Sequence, residues 1–397
     1  MYKMLAGWMT TLCLALTATA AEPVLLGLDA EVSDRTSTSD DAIRFGIETA
    51  ISEINGAGGV LGGRPLQLVV RDNRSVPARG RENVAEFARM PDMVGFFTGK
   101  FSPVAIEELP TAYAQELLML DPWAAADPIV DNGHVPNYVF RLSLRDSWAM
   151  DTLLAYARSK GFDKVSLLLS NNAWGRSCAA AAERYVKRHD DAVRLASLEW
   201  FNWGGEQSFA EQYLRMRKAG AKAIILVANE GDGNQLVRQL AALPPADRLP
   251  VLSHWGIAGG DFPTLAGPAL HTVDLVVVQT FAFSNARGPA ARQFERKALA
   301  HFGASQPDRL ASVVGMAQAY DLTHLLAKAI ALAGSTERPA IRAAMSRVKG
   351  FDGVVKRYSR PFADQNEALS AADVFLSRYS SDGRLQPVDG TMGIALR

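Results

Sequence analysis

The sequence predicts an α/β protein of two similar lobes, each a parallel sheet covered by helices on both faces. Three observations predict it. Near-continuous apolar runs of strand length alternate with segments whose apolar residues fall at helical spacing. The alternation occurs in two sets of similar spacing, as two related domains produce. No Pro/Gly/Ser-rich linker or low-complexity segment separates the sets, so short connections hold the lobes beside a shared cleft.

Val24 to Leu28 reads as a buried strand, followed by a polar loop from Asp29 to Ser39. Ile43, Ile47, Ala50, Ile51 and Ile54 then mark the buried face of a helix. Thr38 and Asp41 have the spacing of a capping box at its start, and Asn55-Gly56 ends it. Strands at Leu66–Val70, Met93–Thr98 and Leu117–Leu120 follow, separated by helices near Arg79–Arg89 and Pro103–Gln115. The second set begins after Val139–Leu144. Its strands are Val165–Leu169, Arg194–Trp200, Ala223–Val227 and one from Val251, with helices at Cys178–Lys187, Phe209–Lys218 and Asn234–Leu243. A strand at Leu275–Val278 precedes a largely helical region over 289–346, and the tail carries short strands such as Asp373–Leu376.

The start of the chain points to export. Lys3, an apolar run from Met4 to Leu16 and the small-x-small pattern Ala18-Thr19-Ala20 read as a leader cleaved after Ala20, placing the protein in a periplasm. The apolar run is shorter than the roughly 20 residues of a spanning helix. Cys13 lacks the small residue beside it that lipoprotein processing wants. Beyond the leader one cysteine remains, Cys178, so no internal disulfide is available. Its Ala-rich surroundings suit a small buried residue.

Formal charge is zero over 397 residues, with no basic block, which leaves a nucleic-acid partner without an electrostatic footprint. The six histidines, His134, His189, His254, His271, His301 and His324, never pair at ligand spacing, so no metal is expected. His324 reads as a satisfied core histidine. The glycine-rich stretch from Gly56 to Gly63 follows a helix, whereas a phosphate loop follows a strand. No G-x-S-x-G elbow exists. These absences argue against an enzyme and against a cofactor.

Several runs carry a family likeness: Ile54-Asn55-Gly56-Ala57-Gly58-Gly59-Val60-Leu61-Gly62-Gly63 leading into Leu66, then Met119-Leu120-Asp121-Pro122-Trp123-Ala124-Ala125, Tyr138-Val139-Phe140-Arg141, and Asn171 to Ser177. In these the chain resembles the type I periplasmic binding proteins of the leucine/isoleucine/valine class, over essentially all of its mature length. The resemblance implies two Rossmann-like lobes joined by three hinge crossings. One lobe would comprise about 21–143 and 280–352, the other 144–279 and 353–397. It also implies capture of a small organic ligand, delivery to the membrane permease of an ABC importer, and a monomeric state. The other readings of the same fold are a receptor for branched-chain or other amino acids or amides, and a sensory protein feeding a separate signalling partner.

Ligands in open α/β sheets sit beyond the carboxyl ends of strands. Ser102 matches a family serine in the first ligand loop, where helix N–H groups suit a carboxylate. Lys100 could add charge there, or could be a solvated surface lysine. The family's threonine position is Ala125, its tyrosine position is Trp174, and its acid is replaced by His254-Trp255. The amino-acid recognition set is therefore largely missing. Trp123, Trp174 and Trp255 fall instead at loops after strands, where flat apolar walls favour an aromatic or otherwise planar ligand, or a quaternary ammonium. The bland reading of any one of them is packing inside a lobe. Phe101 and Trp203 are weaker candidates. The expected lining is Ser102, Trp123, Ala124, Ala125, Trp174, Glu230 and Trp255.

Overall fold

The computed structural model describes residues 21–33, 38–189, 193–286, 288–380 and 382–396. The expected leader and its cleavage point lie outside the described residues. Among the described residues, no helix is long and apolar enough to cross a membrane.

The first sheet holds β1 (Val24–Ala30), β2 (Leu66–Asp72), β3 (Met93–Thr98), β4 (Leu118–Asp121) and β5 (Val139–Arg141) in the order β2-β1-β3-β4-β5, all parallel. Between them run α1 (Ser39–Gly56), α2 (Pro77–Ala88) and α3 (Ser102–Ala114). Every residue of β3 is buried, as a strand covered on both faces requires.

The second set consists of α4 (Asp146–Ser159), β6 (Lys164–Ser170), α5 (Ala173–Arg188), β7 (Arg194–Phe201), α6 (Ala210–Lys218), β8 (Ala223–Val227), α7 (Glu230–Ala241), β9 (Val251–Ser253), α8 (Phe262–Ala266) and β10 (Leu275–Gln279). The chain then returns to the first lobe as α9 (Pro289–Phe302), α10 (Val313–Ala333) and α11 (Arg338–Met345), followed by the small hairpin of β11 (Phe351–Asp352) and β12 (Arg357–Tyr358). It closes with β13 (Phe375–Tyr379) and β14 (Leu385–Pro387) on the second sheet, whose order is β14-β13-β10-β9-β8-β6-β7. Only the last two strands are antiparallel to their neighbours.

The chain thus passes between the sheets three times, and the first and third passages pair. Arg141 N–H donates to Asn366 O at 2.8 Å and Ala368 N–H to Arg141 O at 2.9 Å. The Arg141 guanidinium is fully buried, donating through Nε to Glu367 Oε1 and through Nη1 to Ala126 O. Arg145 adds a second contact to Glu367 and also reaches Asp127. In the first lobe, α10 lies hard against α1. A Cβ on Gly46 would come within 2.2 Å of Met316 O, so only glycine permits this approach.

Three boundaries differ from the sequence reading for local reasons. The helix expected from Cys178 starts at Ala173, because Asn172 Oδ1 accepts from Trp174 N and Gly175 N and caps it. The helix expected from Asn234 starts at Glu230, which becomes a first-turn residue. The capping box at Thr38 does not form: Thr38 makes no side-chain cap, and its hydroxyl is used across the cleft. Cys178 is buried and free, in keeping with its apolar setting. His324 lies between Tyr320 and Phe351, with its Nε2 3.5 Å from Glu53 Oε2.

Several buried carboxyls titrate high, Glu108 among them. Burial raises Asp121 and Asp321 from 3.8 to about 7, and Asp40 and Asp232 from 3.8 to about 6. Each folded value exceeds the unfolded one, so the folded chain holds more protons between about pH 4 and 7 and loses stability as pH rises through that window. Thermal melts should accordingly give a lower Tm at pH 8 than at pH 5. A Tm that climbs over that interval contradicts the assignment.

Candidate functional site

The residues at the centre of the molecule come from loops that follow parallel strands. Lys100, Phe101 and Ser102 follow β3, and Trp123 and Ala125 follow β4. On the opposing lobe Trp174 follows β6, Trp203 follows β7, Asn229 follows β8, and Trp255 and Gly256 follow β9. These ten line one narrow pocket, with room in this closed arrangement for about one water molecule.

Aromatic rings dominate its walls. Trp123 and Trp255 face each other across the lobes with centroids 5.2 Å apart and planes 34° from parallel. Phe101 of the first lobe meets Trp203 of the second edge-on at 5.1 Å. All three expected tryptophans are at most 6% exposed. The lobes are therefore closed on one another, and a planar molecule enters this site only when hinge movement parts the rings.

One carboxylate organises the second-lobe wall. Asp146 sits in the first turn of α4, directly after the first passage between lobes. Its Oδ1 accepts from Trp174 Nε1 at 3.1 Å and lies 3.1 Å from His254 Nε2. His254 Nδ1 accepts from Trp255 N–H at 3.0 Å, which leaves the ring proton on Nε2 to be donated to Asp146. Two of the wall tryptophans are thus indexed to one buried group. Cys178 completes the cluster: the ligand atoms of Asp146, Cys178 and His254 lie within 4.8 Å of one another. Burial and the Asp146 carboxylate push the Cys178 thiol up.

The first-lobe wall carries the charge. Lys100 Nζ is buried 3.4 Å from Glu31 Oε2 and 3.8 Å from Glu230 Oε1, and it stands 4.6 Å from the Phe101 ring centroid. The Lys100 loop is held by Asp40, whose carboxylate accepts from Lys100 N and Glu31 N at 2.9 and 2.8 Å.

A polar contact seals the lobes beside the tryptophans. Gly259 O of the second lobe accepts from the hydroxyls of Thr38, Ser39 and Ser312 at 3.2, 2.5 and 2.9 Å. Ser312 reaches it from a left-handed backbone at φ 57°, a conformation uncommon for a residue with a Cβ.

Of the seven expected residues, Ser102, Trp123, Ala125, Trp174 and Trp255 come together here. Ala124 does not: it is fully buried in the first-lobe core near Phe96 and Met119. Its neighbour Ala125 faces the pocket instead, as alternation along an extended segment dictates. Glu230 does not line the pocket either. Its carboxyl turns toward Lys100 and Gly260, and Asn229 takes the lining position. Ser102 Oγ accepts from Ala126 N–H, which leaves its own proton free for an acceptor. Asp146, Glu31 and Gly259 carried no motif. Asp146 reaches its partners across 28 and 108 residues, a separation that local spacing cannot reveal.

Two parallel-sheet lobes meeting at the carboxyl ends of their strands, with three passages between them, define a type I solute-binding fold. The chain belongs to the periplasmic binding protein family, whose profile matches residues 24–384. It is 23% identical over 258 residues to the Leu/Ile/Val-binding protein homolog 2 of Brucella abortus, covering 64% of this chain and 67% of that one. Two solved structures share the fold. The substrate-binding protein LivJ of Streptococcus pneumoniae in complex with isoleucine superposes with a TM-score of 0.77 at 19% identity, over 92% of this chain and 99% of that one. A solute-binding protein of an ABC transporter from Rhodopseudomonas palustris, in complex with 3,4-dihydroxybenzoic acid, gives 0.75 at 16% identity, over 92% and 96%. The family is one of periplasmic solute-binding proteins of ABC transporters, and its fold is generally non-enzymatic.

Asp146→Ala tests the hub. It strands two buried N–H donors, each costing about 1–3 kcal/mol, so urea unfolding should show a loss of about 2–5 kcal/mol. A variant as stable as wild type would mean that Asp146 holds neither ring.

Proposed function

We propose that this protein captures a small aromatic or otherwise planar molecule between its lobes and presents the closed form to an ABC permease. The observation that carries the reading is the set of five aromatic side chains around one pocket, drawn from both lobes. A flat ring between Trp123 and Trp255 gains dispersion and edge contacts from each lobe at once. Those contacts exist together only when the lobes close, so the ligand shifts the equilibrium toward closure. Ser102 Oγ and Lys100 Nζ stand on the same wall to take a carboxylate or phenolate on such a ring. The 3,4-dihydroxybenzoate complex shows that this fold accommodates a molecule of that kind.

The reading also places the pivots. We assign them to the passages near 142–145, 280–282 and 367–374, with the first-lobe part running past the hairpin β11–β12. Asp321 supports that extension: its carboxylate accepts from Val354 N, Val355 N and Tyr358 Oη.

A thermal-shift screen against hydroxybenzoic acids, aromatic amides, quaternary amines and branched-chain amino acids tests the proposal. A ligand at 100 times its Kd stabilises the folded state by about 2.7 kcal/mol, a shift of several degrees. Planar compounds should produce it. Trp123→Ala and Trp174→Ala should abolish it while still melting cooperatively. Stabilisation by leucine or valine alone would move the assignment to branched-chain amino acids.

A further inference from the structure

A second, larger cavity lies between the lobes, and none of its lining residues belongs to the tryptophan pocket. It measures about 330 Å³. Its walls come from the second passage (Gln279, Phe281, Phe283), from the start of α10, and from β13 with its following loop (Ser377, Tyr379). Both lobes therefore contribute.

The Gly259 contact links it to the tryptophan site. Ala258 and Gly260, on either side of Gly259, line the cavity, as does Ser312, which donates to Gly259 O. On its other flank Gly259 abuts Trp123: a Cβ there would lie 3.4 Å from Trp123 Cζ2. A molecule in the cavity thus touches the same seal that the tryptophans flank.

Chemistry of the lining narrows the occupant. Phe281 and Phe283 meet edge-on at 5.1 Å and offer an apolar wall, and Tyr379 offers another. Gln279 is 1% exposed and lines the cavity, yet its Nε2 has no hydrogen-bond partner. A buried amide donor of this kind is costly unless an acceptor meets it. The rim carries Asp261, Glu295, Asp308 and Arg309. Asp308 pairs with Arg384 and Arg309 with Asp382, while Asp261 and Glu295 have no ion pair among the described residues. The rim is left acidic.

We propose that this cavity is a second ligand site, for a small organic cation with an apolar body and a carbonyl-type acceptor, whose binding stabilises the closed arrangement of the lobes. The apolar body lies against Phe281 and Phe283, the acceptor meets Gln279 Nε2, and the ammonium faces Glu295 and Asp261. Because the site shares no side chain with the tryptophan pocket, it stands or falls independently of the planar-ligand reading.

L-Phenylalaninamide carries all three features and serves as the probe, with its N-acetyl derivative as the uncharged control. Calorimetric titration of the full chain should show binding of the probe and weaker binding of the control. Replacing both rim acids (Glu295→Gln with Asp261→Asn) should weaken it about fivefold, and Gln279→Leu about tenfold. Small-angle scattering should show the radius of gyration falling as the probe binds. The site is overturned if the wild-type chain does not bind the probe, or if the rim and Gln279 variants bind it as tightly. Binding with an unchanged radius would refute the coupling to closure. Melting each variant without probe separates a folding defect from a binding defect.

Discussion

Everything the two lobes do is constrained by the buried pair of Arg141 and Glu367. The guanidinium is inaccessible to water and the carboxylate nearly so, and they join the first and third passages of the chain. Such a pair is costly to desolvate and persists only when every donor is answered. Here Ala126 O takes one further N–H, and Arg145 satisfies the far oxygen of Glu367. Removing either partner would leave an uncompensated buried charge. The passages are therefore fixed to each other at this point. Ala125 and Asp146 lie within a few residues of the same point, joined by an Asp146 N–H···O bond of 2.8 Å. The junction of the two passages and the tryptophan wall are thus parts of one hydrogen-bonded block.

Much of the fold was legible in the sequence because parallel strands buried on both faces are written as unbroken apolar runs. Met93–Thr98 and Ala223–Val227 were read to the residue. Errors fell at helix starts, where the deciding information is a single cap. Asn172 supplied one that the alanine run after it concealed, and Thr38 withheld one that its spacing advertised. In the second case a tertiary partner outcompeted the local one: the hydroxyl finds Gly259 O on the other lobe, 221 residues away.

The site was legible to the extent that it follows strand ends. Trp123, Trp174 and Trp255 could be placed near the cleft from the order of elements alone, because carboxyl-end loops converge in any open parallel sheet. What could not be read was direction. Ala124 and Ala125 are identical in type and adjacent, and only the backbone decides which faces the ligand. Glu230 was given to the cleft as a strand-end residue, but the helix begins four positions earlier than periodicity suggested and its carboxyl turns to Lys100. The Asp146 hub was invisible for a different reason: it joins three segments through polar atoms, and hydrophobic pattern carries no record of such links.

The close approach of α1 and α10 at Gly46 bears on how fast the lobes can shut. Thr38 and Ser39 stand at the start of one of these helices and Ser312 at the start of the other. Since the helices are pressed backbone to backbone, the three hydroxyls hold a fixed spacing in the first lobe whatever the second is doing, and Thr38 and Ser312 are already 3.0 Å apart. The incoming carbonyl of Gly259 meets a receptor whose geometry is set in advance, so little conformational entropy remains to be lost at the moment of contact. Closure then resembles the docking of two rigid templates more than a search among side-chain rotamers, and its barrier should reside mainly in the pivot.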